Sequence, residues 1–439
     1  MTKMKVRKKL VCVCVALLTG LSLWGQVEPS ATGGYDDSES LMMTPPPVIG
    51  LSYPSIMLDS ERHNYLRGGV LFTTAHDDNV LPGITANPVS DTIYTVLPNI
   101  NLNIRTPRNS LSLLYGAGFS FYDPTDTLNA INQNGVFEEQ YRVTRHLAVS
   151  IEDSFQHNSS PFSAPYVLSG GGTQVIIAPY ANQVSNTTIG NAAYQYSRNA
   201  MIGFMGNFGV ANFTSTSQSG GLYNSKGEGA GGFYARRMTP QQYIGVAYQY
   251  QHSATTLVES ATDIHNVTGY YTFYLTRRIS FSLVGGTEHY SSGLSGHSAI
   301  GGWIPSGTVT ALAQTHEVNL QASYSHSITT GQGLIGAYGM DDVTSAVGWQ
   351  ATRRVRLGAE GQYQKLENLT PEVGSFNLNG RTGSGKGLIE YRFSDHLVIE
   401  ADYTRFHREY PGISAAGGDP NSNRFSASVQ YQFTKALGR

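Results

Sequence analysis

One feature limits this chain more than any other. Apolar and polar residues alternate over stretches of nine or more positions, and the alternation returns along most of the sequence. In 423–433, Phe425, Ala427, Val429, Tyr431 and Phe433 share one face, and Arg424, Ser426, Ser428, Gln430 and Gln432 share the other. In 317–325, Val318, Leu320, Ala322 and Tyr324 oppose Glu317, Asn319, Gln321, Ser323 and Ser325. In 355–364, Val355, Leu357, Ala359, Gly361 and Tyr363 oppose Arg356, Gly358, Glu360, Gln362 and Gln364. Successive side chains of a strand point to opposite faces, so a period of two signals strands and not helices.

The strands come in hairpins. Short charged turns fall near Pro107-Arg108, Arg145, Arg198, Arg237, Arg277, Thr315-His316, Arg353 and Asp395. They lie about 40 residues apart, except for about 53 between Arg145 and Arg198. Each repeat holds two long strands, one tight turn and one long polar loop. A propeller blade would need several short strands per repeat. Long strands with short turns at one end and long loops at the other match a transmembrane barrel. Eight turns, with a strand at about 65–75 before them and one at 423–433 after them, make 18 strands, with 16 as the alternative. The expected fold is all-β: a transmembrane antiparallel up-and-down β-barrel of 16–18 strands. A soluble two-sheet sandwich would rarely need so many strands on such a repeat.

Composition agrees. Charged residues are only 14%, Gly is abundant at 49, and Tyr at 27 outnumbers Phe at 17. The net charge of −2 argues against nucleic acid as a partner and against a polybasic membrane anchor. A polar chain can sit in lipid because a closed barrel pairs every backbone group between strands, and only alternate residues meet hydrocarbon. Aromatic residues near strand ends, such as Tyr271, Phe273, Phe281, Trp349, Tyr391, Phe393, Tyr431 and Phe433, suit interfacial girdles. Residues 1–25 read as a cleaved signal peptide, with Lys3, Lys5, Arg7, Lys8 and Lys9 before the apolar run Leu10 to Leu23. That run is short for a spanning helix of about 20 residues, the competing reading. Cys12 and Cys14 both lie inside it, so the exported chain would carry neither disulfide nor thiol chemistry. Residues 26–64 form a Pro/Ser-rich periplasmic arm, 65–433 the barrel and 434–439 a tail.

With the leader, the repeated hairpins and the terminal strand "FSASVQYQF" in view, the chain resembles the Gram-negative outer-membrane β-barrel superfamily, in particular uncharacterised porin-like barrels. The resemblance covers roughly 65–433. It implies a place in the outer membrane, a lipid bilayer around the barrel, and small polar solutes as cargo. It also implies an outer-membrane assembly machinery that reads a terminal aromatic, here Phe433. The chain departs from that pattern, because "TKALGR" comes after it. A homo-oligomer stays open.

Catalytic motifs are weak. "GRTGSGKG" (380–387) puts Gly387 where a phosphate-binding loop needs Ser or Thr, and it leads into a strand. "KGEGAGG" (226–232) reads as a Gly-rich strand on which neighbouring aromatics pack. The twelve histidines are scattered, and His146, His316 and His396 fall in tight turns. His289, His326 and His407, near outer strand ends, are the set a rim hydrolase would draw on, but no nucleophile motif accompanies them. No enzyme, cofactor or metal is expected. The candidate lumen-lining residues are Arg142, Glu152, Glu288, Glu317, Arg356, Glu360, Glu390, Arg392, Glu400, Asp402 and Arg424. Their mixed signs either brace the wall or tune a permeating solute. Glu139 and Asp153 fall on the lipid face of strands 134–144 and 147–157, which calls for a bulge or a covering subunit. The long 159–190 loop is the candidate to fold into the lumen. The expected function is passive passage of small hydrophilic solutes. The alternatives are a structural or assembly scaffold, or a partner in polymer export, without an open pore; a rim hydrolase is the third.

Overall fold

The computed structural model describes residues 64–437 except 83–84, 86, 159–181, 214–222, 257–259, 277, 295–297, 316, 331–334, 371–378 and 411–418. The stretches expected as leader (1–25) and N-terminal arm (26–64), apart from Asn64, and most of the 159–190 loop therefore lie outside the described residues. The chain forms 18 strands. They are β1 (Tyr65–Asp77), β2 (Asp91–Arg105), β3 (Asn109–Asp123), β4 (Ala130–Arg142), β5 (Leu147–Asn158), β6 (Gln183–Ser197), β7 (Ala200–Phe213), β8 (Ser225–Thr239) and β9 (Gln242–Thr255). They continue as β10 (Ser260–Thr276), β11 (Ile279–Leu294), β12 (Ile300–Gln314), β13 (Val318–Thr329), β14 (Tyr338–Gln350), β15 (Val355–Asn368), β16 (Gly380–Arg392), β17 (Leu397–Glu409) and β18 (Asn421–Ala436). Each strand pairs with its sequence neighbours in one sheet, and β1 pairs antiparallel with β18 from Tyr65↔Ala436 to Asp77↔Arg424. The sheet is thus a closed barrel with 18 strands, the larger of the two expected sizes. Both ends of the barrel sequence lie at the short-turn end, where Leu437 N donates to Asn64 O at 2.9 Å.

The side chains are distributed inside-out relative to a water-soluble protein. Phe72, Phe204, Val246, Leu283, Trp303, Ile389, Phe425 and Phe433 stand exposed on the outer face. The residues between them, such as Thr272, Ser282, Ser306, Thr308 and Ser428, are buried on the inner face. On most strands one face is apolar, and the barrel turns that face outward. Soluble proteins rarely expose a contiguous apolar surface this large. Where the inner wall is apolar, rings fill it: Phe233, Tyr243, Tyr270 and Tyr274 pack with Met201 and Ala235 on β6–β10. A Cβ on Gly245 would overlap the Tyr270 ring, so glycine lets β9 and β10 approach there. In "KGEGAGG" the Phe204 ring lies over Gly232, where an added Cβ would stand 3.4 Å from it.

Eight short turns sit at one end, between β2 and β3 and then at every second connection up to β16–β17. Each is closed by a hydroxyl. Thr106, Thr144, Ser197, Thr239, Thr276, Thr315, Thr352 and Ser394 accept the N–H of Asn109, Leu147, Asn199, Gln241, Arg278, Val318, Val355 and Leu397 at distances from 2.8 to 3.4 Å. A Ser or Thr side chain thereby replaces the partner that the backbone loses as it reverses. Most of the charged residues that mark the turns in the sequence come just after this cap.

Several expected boundaries move. Arg237 lies within β8, and the turn comes at Pro240-Gln241. Pro240 has no N–H to continue the ladder, which places the reversal. Residues 183–190, expected in the long loop, belong to β6. β18 runs on to Ala436, beyond Phe433. Glu139 and Asp153 do face outward. The β3–β4 and β4–β5 registers run through them without a bulge. Their carboxylates are satisfied sideways: Asn109 Nδ2 donates to Glu139 at 3.1 Å, and Asn186 Nδ2 and Thr188 Oγ1 donate to Asp153 at 3.1 and 2.7 Å. These bonds offset part of the cost of a carboxylate on that face.

Thr315→Val and Thr352→Val keep the side-chain shape and remove the acceptor. Each should destabilise the refolded barrel by about 0.5–1.5 kcal/mol, the net worth of one hydrogen bond. The urea midpoint in detergent micelles reads this. An unmoved midpoint would mean that the ladder alone sets the turns.

Candidate functional site: the inner wall and its mouth

The inner wall carries its charges mainly on β15–β18 and β1. Arg356 Nη1 lies 3.7 Å from Glu390 Oε2. Lys386 Nζ lies 3.4 Å from Glu400 Oε1 and 3.8 Å from Asp402 Oδ2. Register sets Glu360 opposite Lys386 and Glu390 opposite Glu400. Asp402 also accepts the Ser426 hydroxyl. Nearer the loop end, Arg424 Nε donates to Asp77 Oδ2 at 3.0 Å, and Ser422 Oγ donates to Asp77 Oδ1 at 2.7 Å. Acids and bases thus alternate along a diagonal of the sheet. Most of these side chains keep a part of their surface open, whereas Asp77 is fully buried. Arg392 is exposed at the short-turn end of β16.

A second acidic place lies on β4–β5. Glu138 stands directly opposite Glu152, and Arg142 comes four residues later on the same strand face. Glu317 is different. It is exposed in the turn before β13, within the loop that Thr315 closes on Val318, and so stands off the wall.

At the loop end two elements fold against the inner face. The first is the β1–β2 connection. Val80 is wholly buried beside Ala75, Ile93 and Tyr122, and Arg408 of β17, itself 1% exposed, donates to Pro82 O at 3.3 Å. Asn79 Nδ2 ties this connection to the β17–β18 loop, donating to Asp419 O at 3.2 Å and to Asn421 O at 2.8 Å. The Asp419 carboxylate accepts the Asn421 backbone and side-chain N–H groups, which hold its pKa below the ordinary value.

The second is the top of the β13–β14 hairpin. The β12–β13 ladder ends at Gly307↔His326, although β13 continues to Thr329. The same register would set Pro305 against Ile328, and Pro305 has no N–H to offer. Freed from β12, Ile328 turns its N–H to Glu288 Oε2 of β11 at 2.5 Å. Asn266 Nδ2 donates to the other oxygen of Glu288 at 2.7 Å. Ile328 then packs with Ile264, Tyr290 and Ala337, and Tyr290 Oη donates to Leu369 O at 3.3 Å. The hairpin therefore passes β12 and closes on the inner face of β10–β11. Glu288 holds it.

Sequence reading misses Lys386, which joins three acids. It shares the parity of Glu390 and Arg392, and that signal is present in the chain. Asp77, Glu138 and Arg408 are missed as well, Glu138 because its neighbour Glu139 draws the attention. His289, His326 and His407 lie apart on β11, β13 and β17. Among the described residues no group of three or more His, Cys, Asp or Glu is arranged to hold a metal ion.

No protein-family model and no curated protein matches this chain. Solved structures do resemble it, at low sequence identity. The ferric citrate transporter FecA in its unliganded form shares 11% identity at a TM-score of 0.46, over 87% of this chain and 64% of its own. OprD from Pseudomonas aeruginosa shares 10% at 0.43, over 88% and 98%. OccK2 (OpdF) from Pseudomonas aeruginosa, in complex with glucuronate, shares 8% at 0.42, over 85% and 98%. The chain spans less than two thirds of FecA. What it does has to be argued from its own geometry.

Glu288→Ala leaves the Ile328 N–H and the Asn266 amide without their acceptor, costing about 1–3 kcal/mol locally. The β13–β14 hairpin should loosen and the mouth widen. Hydrogen exchange at the Ile328 amide should speed up while the barrel stays folded. Unchanged exchange would mean that Glu288 does not hold the hairpin.

Proposed function

We propose that the protein is an outer-membrane channel that passes small hydrophilic solutes passively. The observation that carries this reading is the inside-out closed barrel: an apolar outer face around an inner wall of hydroxyls, amides and paired charges. Barrels of 16–18 strands are wide enough for an aqueous lumen. Arg356, Lys386, Glu390 and Glu400 are paired but keep part of their surface open, which water beside the wall would solvate. On this reading these residues line the path, with Arg142, Glu152, Glu360, Arg392 and Asp402, and the two inward elements narrow its mouth. The short turns would then face the periplasm and the long connections the outside. A leader at 1–25, an arm at 26–64 and recognition of the last strand by the assembly machinery belong to the same reading.

The contrasting role is a scaffold, or a polymer-export partner, whose barrel does not conduct. Conductance separates them: a folded barrel that stays silent in a planar bilayer sinks the channel reading.

The charges should set ion preference. Arg356→Gln with Lys386→Gln leaves the acids of β15–β17 uncompensated, so the reversal potential should move towards cation selectivity. The pairs are partly solvated, so each contributes only about 0–1 kcal/mol and the barrel should stay folded. Arg424 is left intact in this test, because removing it would strand the buried Asp77 at a cost of about 3–5 kcal/mol. Unchanged selectivity in a conducting double variant would take these residues off the path.

Orientation is tested in whole cells. With a membrane-impermeant thiol reagent, cysteine at Ser298, in the β11–β12 connection, should label, and cysteine at Arg354, in a short turn, should not. The opposite pattern would invert the barrel.

A further inference from the structure

The outer face carries a feature that a channel does not use. On β9–β12 one cross-strand row reads Tyr250, His265, His289, Trp303, each opposite the next in register. Their rings form a continuous chain, with centroids 5.0 Å apart for Tyr250–His265, 6.3 Å for His265–His289 and 4.9 Å for His289–Trp303. Trp303 is 67% exposed and faces away from the barrel. One row closer to the loops stand His252, Asp263 and Ser291. Asp263 Oδ1 accepts Tyr250 Oη at 2.6 Å and lies 2.8 Å from His252 Nδ1. The arrangement recurs on β13–β14, where Asp341 Oδ1 accepts Tyr324 Oη at 2.9 Å and lies 2.8 Å from His326 Nδ1. In both places the sequence is Tyr-x-His on one strand, with the Asp opposite the His on the next.

Height decides what could meet this row. From Phe281 to His289 the strand climbs about 27 Å, or about 20 Å once tilted as barrel strands are. The outward residues in between are apolar or small, with Leu283 and, on the neighbours, Val267 and Val309. The row therefore lies where the apolar band, about 25 Å tall, gives way to headgroups. Scattered aromatics suffice to anchor a barrel at that level. A continuous ring shelf beneath a row of hydrogen-bonding groups is shaped for a flat ligand with one apolar face and an edge of hydroxyls, which describes a sugar ring. A bare phosphate fits less well. The Asp263 carboxylate already faces His252, and the nearby Lys226 is paired with Glu228 at 3.4 Å, so the row holds little uncompensated positive charge.

We propose that the outer face of β9–β12 binds the saccharide headgroup of an outer-leaflet glycolipid, stacked on His265, His289 and Trp303 and hydrogen-bonded by the His252–Asp263 row. The inference rests on the outer-membrane reading given above.

The test uses the full-length chain purified from membranes in detergent, with lipid retention followed by native mass spectrometry. The probes are an acylated glucosamine disaccharide bisphosphate, the same lipid without phosphates, and phosphatidylglycerol. Both glycolipids should be retained, and phosphatidylglycerol should not. His289→Leu with Trp303→Leu should weaken glycolipid retention by about tenfold, the loss of two ring contacts. Phe204→Leu, at an exposed aromatic of β7, should leave it unchanged. Heat-modifiable migration on a gel checks folding. Should the double variant not fold, the single changes Trp303→Leu and Trp303→Tyr replace it: the first should lose glycolipid and the second should keep it. Equal retention of phosphatidylglycerol, retention that needs the phosphates, or an equal loss in the β7 variant would overturn the proposal. The same preparations are tested for conductance. A conducting barrel that holds no glycolipid overturns this inference alone, and a silent barrel that holds it overturns the channel reading alone.

Discussion

Everything in this molecule depends on one pairing, that of β1 with β18. Without it the sheet would present two bare edges of N–H and C=O groups along β1 and β18. With it every strand has a neighbour on each side over most of its length, and the outer face is free to be apolar. That freedom separates the two faces. The outer one meets its surroundings with Phe, Leu, Val and Ile, and the inner one collects the polar residues that alternation leaves behind.

Closure also explains where the barrel departs from regularity. β12 loses β13 above Gly307, where Pro305 cannot extend the ladder, and the orphaned Ile328 N–H finds a carboxylate on β11 instead. A backbone group denied its usual partner is thus converted into a latch across the mouth. The connection after β1 does similar work opposite, with Val80 sunk into an apolar recess and Arg408 reaching the Pro82 carbonyl. Both elements use inner-wall residues that a plain up-and-down barrel would leave to water.

The architecture is readable because alternation is local and repeats. The eight turns, the strand count and the outward setting of Glu139 and Asp153 all come from counting by two. The details that escape have physical causes. Charged residues stand out in the turns, although the hydroxyl before them makes the reversal, so Arg237 reads as the turn that Pro240 makes. Lys386 falls inside a phosphate-loop pattern, yet its parity with Glu390 already places it on the charged face. Glu317 continues an alternating run by one residue too many, into a turn. The inward hairpin is not legible at all. It depends on Glu288 meeting Ile328 across an entire intervening strand, and no pattern of period two encodes such a contact.

The order of the strands has a kinetic meaning as well. Nearly all of the ladders join segments that are consecutive in the chain, and each second one is started by a turn that closes over three or four residues. Only the final seam must bring distant segments together, Tyr65 to Ala436. Loop-closure entropy rises with the logarithm of length, so joining segments hundreds of residues apart costs only about 4 kcal/mol more than closing a short turn. A ladder from Tyr65↔Ala436 to Asp77↔Arg424 readily outweighs that. A large closed barrel is thus built almost wholly from nearest-neighbour ladders, and its distant contacts gather at and beside the one seam where β1 meets β18.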